Sequence, residues 1–150
     1  NLGIPILGKI LPFVGALPIP RKIHEKEALF TAMHTLVQTH SITIYPEAHL
    51  WPYYTGIRPL PISSFKFPVK DNVPSFSMTT TYQKRKLGKR PKITIYIDGP
   101  FYPDNLPTKK EQAISLRDKV YNQMTLRSKN STYSYIKYEK RIDDDKDNNF

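Results

Sequence analysis

The sequence predicts an α/β fold with a mixed, largely parallel sheet flanked by helices. Three observations predict it. Residues 24–40 carry apolar side chains at helical spacing, uninterrupted by proline or glycine, and a β-branched run, Ile42-Thr43-Ile44-Tyr45, follows at once. An extended piece around Leu17 and Ile19 precedes that helix, so strand, helix and strand read as a βαβ-like unit. Further on, two strand-like runs flank a basic turn and read as an antiparallel hairpin, which makes the sheet mixed.

Each element has its own justification. Residues 1–20 are apolar and broken by Pro5, Pro12, Pro18 and Pro20, with Ile4, Leu7, Ile10 and Leu11 on one helical face. Ala16, Pro18 and Pro20 then alternate with Leu17 and Ile19 in a short extended piece that leads to Arg21. In the helix over residues 24–40, Leu29, Met33, Leu36 and Val37 recur at three- and four-residue intervals. Residues 42–45 form a short strand. From Pro46 to Val73 the periodicity fails. Pro46, Pro52, Pro59, Pro61 and Pro68, with Pro74 just beyond, keep the backbone out of regular helix. This stretch reads as a long, ordered loop anchored by Trp51, Tyr53, Tyr54, Phe65 and Phe67. Strands follow over residues 76–82 and 92–98, joined by a turn at Gly88. Thr108 and Glu111 match a capping box that opens a helix ending near Lys129, with Ala113, Leu116, Val120 and Met124 on one face. Residues 1–130 therefore read as one domain, and 131–150 as a flexible polar tail.

Composition narrows the function classes. The chain of 150 residues is one domain's worth, but 39% apolar content and 14 prolines suit a loop-rich and incomplete fold. No run approaches the roughly 18 apolar residues of a spanning helix, and no secretory signal pattern opens the chain. The chain has no cysteine, which excludes disulfides, a thiol nucleophile and thiolate metal sites, and fits a reducing setting. The net charge of +10 points toward anionic partners. That charge is concentrated in Lys84, Arg85, Lys86, Lys89, Arg90 and Lys92, while Asp143, Asp144, Asp145 and Asp147 close the chain. The basic cluster reads either as a solvated turn or as a contact for an anionic surface.

Residues 45–50, Tyr-Pro-Glu-Ala-His-Leu, carry the densest chemistry: a proline-terminated apolar run that delivers a carboxylate, a histidine and then aromatics. They resemble the Phe-Pro-Glu-Gly-Thr-Arg motif of the glycerophospholipid acyltransferases, with Pro46 and Glu47 matching and the last three positions replaced. Two more blocks resemble that family in the same order. Gly15-Ala16-Leu17-Pro18-Ile19-Pro20-Arg21 resembles its glycine-to-arginine block, and Asn72-Val73-Pro74-Ser75-Phe76-Ser77-Met78 its Val-Pro step opening a strand. The family's catalytic His-x4-Asp block has no counterpart. The residues five positions after His24, His34, His40 and His49 are Leu29, Thr39, Tyr45 and Tyr54. The chain thus resembles the C-terminal part of an acyltransferase domain, incomplete at the N-terminus, with the catalytic histidine and aspartate expected upstream.

The resemblance implies a function. It implies transfer of an acyl group from acyl-CoA or acyl carrier protein to a lysophosphatidic-acid-type acceptor, with no metal and no other cofactor. It also implies work at the cytoplasmic face of an anionic membrane, peripheral or anchored by a further N-terminal segment. Histidine would act as general base, oriented by aspartate. This chain would hold the acceptor so that its hydroxyl meets that base. Arg21 would grip phosphate, its alternative being a surface arginine beside Lys22. Glu47 would orient the substrate hydroxyl or an arginine, its alternative being a helix cap or a solvated carboxylate. His49 stands where the family has threonine and would donate to phosphate or serve the aromatic cluster. Leu50 replaces the motif's arginine, and Arg58 or Lys66 would supply that cation through the same loop.

No Gly-x-Ser-x-Gly elbow, P-loop or dinucleotide fingerprint occurs, and the histidines lack the paired spacing of a zinc site. The competing reading is a basic, non-catalytic module that binds nucleic acid or an anionic surface. Nucleic acid is the weaker partner, because no recognised RNA- or DNA-binding signature is present.

Overall fold

The computed structural model describes residues 25–47 and 50–139. The chain divides into two compact units, Asn1–Thr43 and Ile44–Phe150. The first unit contributes one described element, helix α1 (Glu25–Val37). The predicted face is the one withdrawn from solvent: Met33 is buried, while Leu29, Leu36 and Val37 are half-buried. Thr39 and His40 both donate backbone N–H to Leu36 O, which ends the helix three residues before the predicted limit.

The second unit is mixed α/β. Among its described residues are a 3-10 turn η1 (Ile62–Phe65), helix α2 (Lys66–Asp71), strands β1 (Ser75–Gln83) and β2 (Lys92–Phe101), and helix α3 (Lys109–Ser128). The sheet corrects the prediction. It has two strands, paired antiparallel, with Met78 opposite Ile97, Thr80 opposite Ile95 and Tyr82 opposite Ile93. The parallel arrangement fails at residues 42–45, which adopt no regular structure; Ile44 is 39% exposed and Tyr45 86% exposed. A run of four β-branched and aromatic residues becomes a strand only where a neighbouring edge completes its hydrogen bonds. The Leu17–Ile19 piece and Arg21 lie outside the described residues.

The proline-rich stretch also departs from expectation, since η1 and α2 lie within it. Pro68 is the third residue of α2, where its absent N–H is one that no helix could have satisfied internally. Asn72, in left-handed conformation, caps α2, and Val73 N–H closes onto Pro68 O at 3.1 Å.

The core is the apolar face of α3 set against this segment. Ala113, Leu116 and Val120 pack with Leu60, Phe65 and Val69, and Met124 packs at the margin. The predicted capping box is formed: Thr108 Oγ1 accepts from Glu111 N–H at 3.2 Å, and Thr108 N–H donates to the Glu111 carboxylate at 3.1 Å.

One face of β1 lies against α3 and buries Ser77, Thr79 and Thr81. Thr81 Oγ1 donates to Thr94 O at 3.2 Å, whereas Ser77 Oγ and Thr79 Oγ1 have no partner among the described residues. The opposite face of the hairpin is apolar and open, with Phe76, Met78, Ile93, Ile95 and Ile97 each more than half exposed.

Arg127, in the last turn of α3, grips Asp98 of β2 with two nitrogens at 2.6 and 3.0 Å and lies 4.8 Å over the Tyr96 ring. The Arg127 hydrogen bonds hold the Asp98 carboxyl below its ordinary value. A depressed carboxylate contributes stability above its unfolded-state pKa and loses it as pH falls through the folded-state one. Arg127→Gln is therefore expected to lower the melting temperature at neutral pH, with a gap that shrinks as pH falls through and below the ordinary carboxylate range. A gap that stays constant from neutral to acid pH would show that the pair contributes packing only.

Candidate functional site

The site candidate is built on the loop over residues 50–59. Trp51 O accepts from Tyr54 N–H at 3.1 Å, forming a tight turn that places Tyr53 at φ 59°. A bulky residue with positive φ is strained by about 1–3 kcal/mol and persists only where its surroundings over-determine it. Here the Tyr53 ring meets Tyr82 edge-on at 5.5 Å and Tyr135 at 4.9 Å. Gly56 has its own reason. A Cβ there would lie 2.8 Å from the Tyr54 hydroxyl, so only glycine lets that ring fold over the turn.

A second stretch completes the wall. Thr132 and Tyr133 donate their N–H groups to Tyr82 O at 3.0 and 3.2 Å, against the free side of β1. Tyr138 then stacks on Trp51 at 5.0 Å and donates its hydroxyl to Pro52 O at 2.8 Å. Residues 131–139 are thereby strapped across the loop. The result is a cluster of Trp51, Tyr53, Tyr54, Tyr82, Tyr135 and Tyr138. A shallow depression of ≈ 280 Å³ opens between the loop and the strap, lined by Tyr54, Thr55, Ser134, Ile136, Lys137, Tyr138 and Glu139.

Two of the four predicted site residues meet at this cluster. Arg58 lies 4.6 Å over the Trp51 ring and donates from one terminal nitrogen to Glu47 O at 3.4 Å. Burial pushes the Glu47 carboxyl above its ordinary value, while the Arg58 backbone N–H and guanidinium charge pull it back. Burial likewise raises the Tyr82 phenol, with Tyr53, Tyr138 and Glu47 adding to the shift. Glu47 is thus a half-buried carboxylate with an arginine and a phenol in electrostatic reach. Arg21 and His49 lie outside the described residues. Lys66 opens α2 on an exposed position. Leu50, at the motif's arginine position, is 90% exposed.

Tyr82, Tyr135 and Tyr138 were not among the predicted site residues. The recurrence of Tyr133, Tyr135 and Tyr138 in an otherwise polar stretch was the signal that could have found the strap.

Arginine and glutamate together can hold an anion and a neighbouring hydroxyl. The Trp51 ring covers one face of the guanidinium. Among the described residues no group of three His, Cys, Asp or Glu could hold a metal ion, and no helix is long and apolar enough to cross a membrane. No protein-family description, curated protein or solved structure matches this chain.

Proposed function

We propose that this chain carries the acceptor-binding part of a glycerolipid O-acyltransferase of phospholipid biosynthesis. The acceptor is of the lysophosphatidic-acid type, the acyl donor is a CoA or carrier-protein thioester, and the work is done at a membrane surface. The observation that carries this reading is the return of Arg58 to the backbone of Glu47. The Tyr45-Pro46-Glu47 motif lacks its terminal arginine, because Leu50 stands there. Arg58 brings a guanidinium back to the Glu47 backbone carbonyl from eleven residues further on, within electrostatic reach of the carboxylate. A guanidinium fork suits a phosphate monoester, and one of its donors is engaged by the described residues. Glu47 then serves to orient the acceptor hydroxyl by position, with proton abstraction left to the expected upstream histidine.

The test is calorimetric binding of glycerol 3-phosphate against glycerol. The phosphate ligand is expected to bind measurably better. Arg58→Ala is expected to remove about tenfold to a hundredfold of that preference, the loss typical of a charge-assisted hydrogen bond. Arg58→Lys should restore only part of it, since the fork is gone. Equal binding of glycerol and glycerol 3-phosphate would overturn the reading. Glu47→Gln provides the control for mere structural damage. A carboxyl with a raised pKa contributes stability below its unfolded-state value and loses it as pH rises through the folded-state one. The glutamine variant is therefore expected to melt no lower than the parent at neutral pH.

A further inference from the structure

We infer that the β1–β2 hairpin is a membrane-docking element that lays its open isoleucine face on an anionic lipid bilayer. The face is defined by register. Met78 with Ile97, Thr80 with Ile95 and Tyr82 with Ile93 point away from the side that buries Ser77, Thr79 and Thr81. Ile93 is 52% exposed, Ile95 53%, Ile97 67%, Met78 56% and Phe76 58%. A contiguous apolar face of this kind on a folded domain marks an interaction surface.

Charge identifies the occupant. The connection between the strands holds Lys84, Arg85, Lys86, Lys89 and Arg90, all exposed, with Lys92 opening β2. No aspartate or glutamate occurs from Asn72 to Ile97, and none of these six cations forms a salt bridge among the described residues. Leu87 sits at the centre of this turn and is 89% exposed. Aliphatic side chains beside unpaired cations match the boundary between acyl chains and anionic headgroups. Nucleic acid is less well matched, because Phe76 is a lone exposed ring among aliphatic side chains that give no stacking platform for bases. A protein partner would need a carboxylate cluster beside its own apolar patch. The inference stands apart from the acyltransferase reading, since it uses neither Glu47 nor Arg58.

Sedimentation with vesicles tests it. The probes are phosphatidylcholine vesicles with and without a minority of phosphatidylglycerol, at low and moderate salt. Binding is expected only to the anionic vesicles and is expected to weaken with salt. Each cation near the surface is worth about fivefold in partitioning. The triple variant Lys84→Glu, Lys86→Glu, Arg90→Glu is therefore expected to lose more than about a hundredfold. Ile97→Thr with Leu87→Ser leaves the charge intact and should lose about tenfold or more, which separates insertion from surface attraction. All these positions are exposed, and unchanged melting temperatures will show that the variants fold.

Equal binding to neutral and anionic vesicles would overturn the inference. So would an unaffected isoleucine variant. Tighter binding of single-stranded nucleic acid than of anionic vesicles at equal salt would do the same, as would self-association that Ile97→Thr abolishes. None of these outcomes bears on glycerol 3-phosphate binding, so failure of the two proposals can be told apart.

Discussion

Leu116→Ala is expected to destabilise the second unit by about 2–5 kcal/mol. Leu116 is fully buried on α3 and packs into the cluster of Leu60, Phe65, Val69, Ala113 and Val120. Its removal deletes three methylene equivalents and leaves a void that the helix cannot close, because α3 is fixed at both ends. Thr108 and Glu111 cap its start, and Arg127 ties its end to Asp98. A cavity that cannot collapse carries the full packing loss. Domains of this size stand only about 5–15 kcal/mol above their unfolded state, so the melting temperature should fall by roughly 10 °C or more. Thermal melts of Leu116→Ala and Leu87→Ala side by side make the check. Leu87 is 89% exposed, and its loss should stay within about 0.5 kcal/mol. Similar melting of the two variants would mean that α3 does not form the core described above.

Gly99→Ala is the second large effect expected. Ser75 pairs with Phe101 and Ser77 with Asp98, so Gly99 and Pro100 together face the single residue Phe76 across a bulge. Gly99 sits at φ 132°, a region that is essentially reserved for glycine. A Cβ there would stand 2.9 Å from Ser75 O and 2.8 Å from Phe76 Cδ1. The phenyl ring can swing aside, but the carbonyl oxygen cannot move without opening the ladder. The backbone conformation alone makes alanine cost about 1–3 kcal/mol, and the clash with Ser75 adds to it. Urea unfolding should show a lower midpoint with an unchanged slope, the signature of lost stability without a new unfolded state. Gly88→Ala, also at positive φ but with open space around it, should lose less. If Gly99→Ala costs no more than Gly88→Ala, the close approach to Ser75 is not felt.

What was legible in the sequence was local. Thr108 and Glu111 announced the start of α3, because a capping box is complete within four residues. The alternation in Lys92-Ile93-Thr94-Ile95-Tyr96-Ile97-Asp98 announced β2, and the basic run with Gly88 announced its turn. The pairing of Glu47 with Arg58 was also within reach, since both lie in one loop. What escaped depended on partners far along the chain. The β-branched run at residues 42–45 has strand composition but no adjacent edge among the described residues, and composition carries no information about edges. Pro68 argued against helix until its position in the first turn of α2 was known. Tyr138 bonds to Pro52 across 86 residues, and its contact with Trp51 has no local signature.

That strap has an optical consequence. Trp51 is the chain's single tryptophan, and it lies under Tyr138 and beside the Arg58 guanidinium. Indole emission from this protein therefore comes from one joint, where the loop meets the strap. A blue-to-red change in that emission reports release of the strap from the loop, whereas among the described residues far-ultraviolet ellipticity comes mainly from α1 and α3. The two signals follow different parts of the molecule. A ligand or a lipid surface that loosens the joint would be seen in fluorescence while the helices remain silent.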